Sequence, residues 1–309
     1  MGSTIADAWN KPERKWPGAV YIETTNRCNA NCKACLNDKV LKKRATMDLD
    51  TFKQIATKVK ARGLRIGAMF CFGEPLLDPT ICEKYRFANQ LDVLSKNHTG
   101  LNTNCSMLTE DRWDDLLFLT PNITLSFFNV GEAFERMTRL SWKLCYENAL
   151  GFIKERDEVR PDYEIYIGCN RVRGSGRAEV EAAFAGCNVT FVSDGEVRFG
   201  ASLEVLDRMH VHPWWRCDGH KGAMQIKDDG SVEYCAYDIV EGVTRFGNIL
   251  EDSWETLEAA FRRAWVAGSS LCRRCDYWYG AEAVIDSLPA TVVVHGQVVP
   301  VATLVERGW

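Results

Sequence analysis

The sequence predicts an α/β fold with helices covering a parallel sheet, because short β-rich runs alternate with helical stretches through the first two thirds of the chain. About six such strand–helix units would form a partial (β/α)6 barrel, with its chemistry at the carboxyl ends of the strands. After residue 195 the alternation of strand and helix patterns ends, which indicates a smaller C-terminal unit. The predicted organisation is an extension at 1–18, the barrel at 19–195, the smaller unit at 196–285 and a tail at 286–309.

The individual elements follow from local pattern. Strands of the barrel are predicted at residues 19–24, 65–70, 101–103, 123–127 and 163–168, and helices at 49–60, 110–119 and 133–155. In the smaller unit, residues 223–234 alternate around Asp229-Gly230, which predicts a hairpin. An amphipathic helix is predicted at 253–267, and the tail is predicted to fold into a short hairpin at 291–299.

Composition excludes several classes of function. The chain has 309 residues and a net charge of −4, and its pI is about 5.8, so no electrostatic footprint for nucleic acid is indicated. No apolar run approaches the roughly 18 residues of a membrane-spanning helix. The 13 cysteines occur without an export signal, which favours metal ligation in a reducing compartment over disulfides. We therefore expect a cytoplasmic protein.

The chemistry is expected to centre on three cysteines in one short loop, Cys28, Cys32 and Cys35. Their spacing lets three thiolates converge on one metal centre, whereas a structural zinc site normally has four protein ligands. The next cysteine along the chain is Cys71. An iron–sulfur cluster held by three thiolates leaves one iron open to a small molecule. After the second predicted strand comes the sequence Phe72-Gly73-Glu74-Pro75.

The cysteine spacing followed by this sequence resembles the radical S-adenosylmethionine (radical SAM) enzymes. The resemblance implies that a [4Fe-4S] cluster binds the amino and carboxylate groups of S-adenosylmethionine. Gly73, Glu74 and Pro75 match the family's GGEP motif, which contacts the methionine amino group, although Phe72 replaces the first glycine. A glycine allows close backbone approach, and a carboxylate accepts a hydrogen bond from an ammonium group.

Three later positions extend the resemblance. Thr103-Asn104-Cys105 resembles the family's TNG motif, with Cys105 in place of glycine, and Asn104 is expected to contact the cofactor. Ser126 and Arg139 resemble residues that bind the ribose or carboxylate of S-adenosylmethionine. A guanidinium group matches a carboxylate in geometry. The alternatives are a core hydroxyl for Ser126 and a surface charge for Arg139.

A second cysteine set resembles the SPASM/twitch extension of this family, in its shorter twitch form. Its members are Cys217, Cys235, Cys272 and Cys275, and the β-hairpin and helix predicted above lie between them. The resemblance implies a second, fully ligated [4Fe-4S] cluster. Four cysteine ligands suit zinc equally well, so zinc remains the alternative.

The resemblance implies an oxidoreductase or isomerase. A one-electron donor such as flavodoxin or ferredoxin would drive reductive cleavage of S-adenosylmethionine, and the resulting 5′-deoxyadenosyl radical would abstract a hydrogen atom from the substrate. Oxidation, epimerisation and rearrangement all remain open. The short chain favours a small polar substrate, such as a sugar or aminocyclitol. A peptide-modifying maturase is the alternative, and a zinc-stabilised binding module without enzymatic activity is a remote one.

Cys105 is a candidate hydrogen-atom donor, because a thiol S–H bond is weak enough to quench a carbon radical. Return of hydrogen to the opposite face of the substrate would make the enzyme an epimerase. The alternative is that Cys105 is a small buried side chain with a packing role.

Overall fold

The computed structural model describes residues 17, 19–32, 35, 44–95, 100–169, 176–192, 223–235, 244–267, 291–294 and 297–300. The strands are β1 Ala19–Ile22, β2 Ile66–Ala68, β3 Leu101–Thr103, β4 Ile123–Ser126, β5 Ile165–Gly168, β6 Thr190–Val192, β7 Ala223–Ile226, β8 Ser231–Glu233, β9 Arg245–Asn248, β10 Thr291–Val294 and β11 Gln297–Pro300. The α-helices are α1 Leu49–Ala61, α2 Ile81–Gln90, α3 Trp113–Leu119, α4 Gly131–Thr138, α5 Trp142–Val159, α6 Arg177–Ala183 and α7 Trp254–Ala267.

The predicted α/β architecture with a parallel sheet is confirmed. Strands β3, β4, β5 and β6 form one parallel sheet in chain order, and β1 pairs in parallel with both β2 and β7. Strands β7, β8 and β9 continue the second sheet in antiparallel fashion. Within the described residues the parallel strands therefore lie in two sheets, and their carboxyl ends hold the segments that the sequence singled out.

Helix α1 shows how local sequence fixes an element. The side chain of Asp48 caps its first turn by accepting hydrogen bonds from the backbone N–H and the hydroxyl of Thr51, at 2.8 and 2.7 Å. The helix buries Phe52, Ile55 and Val59 on one face, in the spacing that the pattern predicts. Burial of each such side chain contributes about 1.5–3 kcal/mol.

The C-terminal elements also follow the sequence prediction. Strands β7 and β8 form the hairpin expected at Asp229-Gly230, where Gly230 has φ of +78° and the Asp229 carboxylate accepts a hydrogen bond from the Ser231 N–H at 3.0 Å. Helix α7 matches the predicted amphipathic helix, and β10 and β11 form the expected antiparallel hairpin. In the described part of the chain, no helix has both the length and the apolar character needed to cross a membrane.

One helix prediction is wrong. The single helix expected over 133–155 is two helices, α4 and α5, separated at Arg139, which has a left-handed backbone with φ of +62°. The break is stabilised locally, because the Ser141 side chain caps α5 through the Leu144 N–H. Aromatic packing fixes the corner, with Phe127 in contact with Phe134 and Trp142 at centroid distances of 5.7 and 5.6 Å.

A buried ion pair ties α2 to the segment that follows β2. The ammonium of Lys84 lies 2.6 Å from the Asp78 carboxylate, and both side chains are fully buried. Lys84 also donates to the Met47 carbonyl. These short contacts offset part of the desolvation of both charges, although burial still lowers the pKa of Lys84.

Removal of Lys84 tests this pair. Lys84→Met leaves the Asp78 carboxylate buried without its cation and is expected to lower the free energy of unfolding by about 3–5 kcal/mol. The matched control is Lys53→Met, which removes a long, exposed ion pair with Asp50. This substitution should change the free energy of unfolding by less than about 1 kcal/mol. Urea denaturation of both variants measures the difference, and equal losses would contradict the structural role of Lys84.

Candidate active site

The sequence-predicted residues lie where parallel strands end. The cysteine loop follows β1, Gly73 and Glu74 follow β2, Asn104 follows β3, and Ser126 is the last residue of β4. The carboxyl ends of parallel strands form the functional edge of such sheets. The fold thus brings segments that are far apart in the sequence to the place where the carboxyl ends of strands from the two sheets meet.

Gly73 allows the segment after β2 to lie directly against the start of the cysteine loop. Its φ is +114°, and a Cβ atom there would lie 2.5 Å from the Thr25 carbonyl oxygen and 2.9 Å from that of Arg27. The backbone N–H of Glu74 donates to the same Arg27 carbonyl at 2.7 Å. Both the backbone conformation and the close approach therefore require glycine at this position.

Glu74 is a buried carboxylate that joins β2 to β3. It accepts hydrogen bonds from the Thr103 hydroxyl at 2.7 Å, the Asn104 backbone N–H at 2.7 Å and the Leu76 N–H at 3.1 Å. Burial raises the pKa of Glu74 to about 7, although these hydrogen bonds oppose the shift. No lysine, arginine or histidine among the described residues forms an ion pair with it. About one of its four lone-pair positions remains, which suits an ammonium group of a bound cofactor.

Asn104 joins the end of β3 to the cysteine loop. Its amide nitrogen donates to the side-chain oxygen of Asn29 at 3.0 Å and lies 3.9 Å from the Cys28 sulfur. Its side-chain oxygen accepts from the backbone N–H and hydroxyl of Ser106, and Asn29 donates to the same hydroxyl at 2.8 Å. The sequence analysis did not identify Asn29 and Ser106. Their only signal in the sequence is their position, because Asn29 lies within the cysteine loop and Ser106 directly follows Thr103-Asn104-Cys105.

The three loop cysteines are half-buried. The Ala30 N–H points at the Cys28 sulfur at 3.4 Å, and burial raises the pKa of the Cys28 thiol to about 11. Thiolates are suitable ligands for iron–sulfur clusters and zinc. In the residues that the structure describes, no three cysteine, histidine or acidic side chains converge in a metal-binding arrangement. Joint ligation by Cys28, Cys32 and Cys35 therefore stays a prediction.

Ser126 and Arg139 lie near this edge. The Ser126 hydroxyl donates to the side-chain oxygen of Asn102 at 2.6 Å and is half-buried. Arg139 is exposed, and the carbonyl of the preceding Thr138 accepts a hydrogen bond from the Asn31 N–H at 2.9 Å. The break between α4 and α5 therefore places Arg139 next to the cysteine loop, although a single helix was expected there.

Cys105 lies in the core. It has a left-handed φ of +66°, which explains why a glycine suits this motif position, and it is fully buried. Its sulfur lies 3.8 Å from the Thr103 carbonyl oxygen, and burial raises the pKa of the thiol well above its usual value. This placement favours the packing role, and the role of hydrogen-atom donor stays a prediction.

The second cysteine set is described at one position only. Cys235 lies two residues after the end of β8 and is buried. Cys217, Cys272 and Cys275 lie outside the described residues. Ligation by this set stays a prediction.

A buried polar cluster, which sequence reasoning missed, adjoins the GGEP-like segment. The Lys227 ammonium lies 3.4 Å from a Glu23 carboxylate oxygen and 3.6 Å from a Glu233 oxygen. Glu23 also accepts a hydrogen bond from the Phe72 N–H at 3.2 Å. Burial raises the pKa of Glu23, against the opposing charge of Lys227. Burial lowers the pKa of Lys227, but Cys71 and the two carboxylates outweigh it, so that its pKa is raised and it stays protonated.

The only sequence signal for this cluster is a pair of polar residues at alternating positions, Gln225 and Lys227, in and just after a buried strand.

Comparison with known proteins bears on the region that contains the site. Residues 22–159 match the Radical SAM superfamily, so this region is similar to a radical SAM domain. No curated protein sequence matches the chain. The match spans β1 to α5 and contains the cysteine loop and the segments around Glu74 and Asn104.

Solved structures of similar fold include three proteins. BtrN in complex with AdoMet and 2-DOIA has 19% identity and a TM-score of 0.55, over 85% of this chain and 94% of that one. SuiB of Streptococcus suis bound to precursor peptide SuiA has 14% identity and a TM-score of 0.58, over 84% and 70%. Native anSMEcpe with bound AdoMet has 16% identity and a TM-score of 0.54, over 86% and 92%. At these identities the likeness shows the fold alone.

The close approach at Gly73 generates a prediction. Gly73→Ala would force its Cβ against two backbone carbonyls, so the cysteine loop must move, and we expect binding of S-adenosylmethionine to weaken by at least about tenfold. Gly63→Ala is the control, because Gly63 also has positive φ, +73°, but no atom lies within 4 Å of the added Cβ. Anaerobic calorimetry on the reconstituted proteins measures binding. Equal affinities in both variants would contradict the argument.

Proposed function

We propose that this chain is a radical SAM enzyme that acts on a small polar substrate such as a sugar or aminocyclitol. The observation that carries the proposal is the contact chain from Glu74 through Asn104 to Cys28, which joins three predicted motifs where the carboxyl ends of strands from the two sheets meet. The match of residues 22–159 supports the same chemistry. The reaction is an oxidation, an epimerisation or a rearrangement.

Each site residue has a defined task in this proposal. Cys28, Cys32 and Cys35 would hold a [4Fe-4S] cluster, which with S-adenosylmethionine supplies a 5′-deoxyadenosyl radical that removes a hydrogen atom from the substrate. Glu74 would accept from the ammonium group of the methionine, and Gly73 with Pro75 would shape the backbone around it. The remaining contacts to the cofactor are assigned to Asn104, Ser126 and Arg139.

The C-terminal unit is proposed to carry a second [4Fe-4S] cluster of twitch type. Cys217, Cys235, Cys272 and Cys275 would ligate it, and the β7–β8 hairpin and α7 would support it. A one-electron donor such as flavodoxin or ferredoxin would supply electrons. Clusters of this kind require a reducing compartment, so the proposed location is the cytoplasm.

A small substrate is favoured by the relative whose structure contains 2-DOIA. BtrN is matched over 94% of its own length, whereas SuiB, which binds the peptide SuiA, is matched over only 70%. A peptide-modifying maturase is the second candidate, because anSMEcpe has been solved with the Cp18Cys peptide and is matched over 86% of its length. Direct assays with both substrate types separate the two candidates.

The cysteine loop provides the first functional test. A variant with alanine at Cys28, Cys32 and Cys35 should lose all formation of 5′-deoxyadenosine and about four irons per chain, because the cluster would then have no thiolate to hold it in the protein. The control is Cys187→Ala, which changes a cysteine outside the two cysteine sets. This variant should keep the formation of 5′-deoxyadenosine and the iron content of the wild type. The assay is anaerobic reconstitution, dithionite reduction and chromatography. Production of 5′-deoxyadenosine by the triple variant would refute the assignment.

The second cysteine set provides another test. We expect reconstituted wild-type protein to bind about eight irons, and Cys235→Ala to lose up to about four of them. Loss of that cluster should also lower the thermal stability of the C-terminal unit, because metal binding and folding are coupled. Iron and zinc are measured by elemental analysis. A total of about four irons, or stoichiometric zinc, would refute the two-cluster proposal and favour a zinc site.

A further inference from the structure

Asn29, Ser106 and Asn104 form a closed ring of side-chain hydrogen bonds beside the cysteine loop. The Asn104 amide nitrogen donates to the side-chain oxygen of Asn29 at 3.0 Å, and the Asn29 amide nitrogen donates to the Ser106 hydroxyl at 2.8 Å. That hydroxyl donates to the side-chain oxygen of Asn104 at 2.6 Å. The ring leaves one orientation for each amide, because a reversed amide would set one donor against another.

The backbone turn after β3 places Ser106 for this ring. The side-chain oxygen of Asn104 accepts a second hydrogen bond from the Ser106 backbone N–H, at 3.0 Å, which is the local turn that asparagine side chains favour. Cys105 lies between them with a left-handed φ of +66°, and its N–H donates to the Thr103 hydroxyl at 3.1 Å. The short segment that follows β3 therefore fixes the Ser106 hydroxyl through its own local contacts.

The hydrogen-bonding positions of the Asn104 side chain can be counted. Its oxygen has two lone pairs, which accept from the N–H and the hydroxyl of Ser106. One hydrogen of its amide nitrogen goes to Asn29. The second hydrogen remains, and the same nitrogen lies 3.9 Å from the Cys28 sulfur. The protein thus uses the whole side chain, and a contact of Asn104 with a bound cofactor would come from its backbone.

Among the described residues, two N–H groups are directed at the half-buried Cys28 sulfur. One is the Asn104 amide, and the other is the Ala30 backbone N–H at 3.4 Å. Such donors fit an anionic sulfur, and the thiolate is the form in which a cysteine ligates a metal. Hydrogen bonds to the sulfurs are one of the factors that set the reduction potential of an iron–sulfur cluster.

The cysteine loop is held in place without the ring. The Glu74 N–H donates to the Arg27 carbonyl at 2.7 Å, just before the loop, and the Asn31 N–H donates to the Thr138 carbonyl at 2.9 Å, within it. These backbone contacts tie the loop to the segment after β2 and to the end of α4. The ring therefore does more than attach the loop, since it orients one particular donor.

We propose that Asn29 and Ser106 are positioning residues that hold the Asn104 amide as a hydrogen-bond donor to the Cys28 sulfur, and that this donor favours reduction of the cluster. The step concerned is the transfer of one electron from the one-electron donor to the cluster, in which no covalent bond changes. The added negative charge strengthens a hydrogen bond to the ligating sulfur. This inference rests on the proposed function, because it requires a cluster bound at Cys28.

Four substitutions test the positioning role. Ser106→Ala removes the hydroxyl from the ring but keeps the backbone N–H, and Ser106→Thr restores a hydroxyl. Asn104→Leu removes the donor itself at similar volume, and Asn29→Ala opens the ring from the loop side. The matched control is Asn89→Ala, which removes an exposed side-chain hydrogen bond to the Leu119 carbonyl on another part of the fold.

The measurement is an anaerobic redox titration of the reconstituted full chain, followed by electron paramagnetic resonance. The relevant signal is the one that changes when S-adenosylmethionine is added, because a cluster needs an open iron to bind it. We expect Ser106→Ala, Asn29→Ala and Asn104→Leu to have a more negative midpoint potential. The equilibrium constant for one-electron reduction should fall by at least about threefold in each, as for loss of one ordinary hydrogen bond.

The double variant Ser106→Ala/Asn104→Leu separates action through Asn104 from an independent effect. Its midpoint potential should equal that of Asn104→Leu alone, because removal of the positioned donor leaves Ser106 nothing to orient. Ser106→Thr and Asn89→Ala should keep the potential and the iron content of the wild type.

The proposal is overturned if Ser106→Ala or Asn29→Ala keeps the wild-type potential, or if the double variant is more negative than Asn104→Leu. Loss of iron from any of these variants would also overturn it, because the side chains would then hold the loop rather than orient a donor. If no signal of the wild type responds to S-adenosylmethionine, the proposed function itself fails. If a signal responds while the potentials stay equal, only the positioning role is lost.

Discussion

The rest of the site depends on the hydrogen bonds of the buried Glu74 carboxylate. It accepts hydrogen bonds from the end of β3, through Thr103 and Asn104, and from its own turn, through Leu76. Its backbone is bound to the start of the cysteine loop. A carboxylate so deeply buried is costly unless it is well hydrogen-bonded or paired with a cation. The same burial that raises its pKa therefore makes it a strong partner for a bound ammonium group.

Sequence reasoning succeeded where local chemistry decides the structure. The Asp229-Gly230 hairpin and the amphipathic helix α7 follow from turn preference and period, which act over a few residues. The break at Arg139 was missed because both flanking segments are helical in pattern, and the left-handed turn is fixed by packing among Phe127, Phe134 and Trp142. Tertiary contacts overrode the local preference there.

The candidate site also combines features that the local sequence determines with features that depend on tertiary contacts. Cysteine spacing and Gly-Glu-Pro could be read from the chain because each lies in one short segment. The contact between Glu23 and Lys227 joins residues that are 204 positions apart, and no local pattern predicts it. Asn29 and Ser106 likewise act across the space between β1 and β3. The side chains that position the motifs are therefore less predictable than the motifs.

Two buried lysines in this chain show how burial and pairing act against each other on the same kind of group. Lys84 has a short contact to one carboxylate and another to a carbonyl, yet burial outweighs them and lowers its pKa. Lys227 faces Cys71 and the carboxylates of Glu23 and Glu233, whose attraction outweighs burial and raises its pKa. The number of charged groups around the ammonium therefore decides the direction of the pKa shift more than the length of a single contact does. Because the Phe72 N–H donates to Glu23 and Phe72 immediately precedes Gly73, the cluster around Lys227 is joined to the segment that is proposed to bind the cofactor.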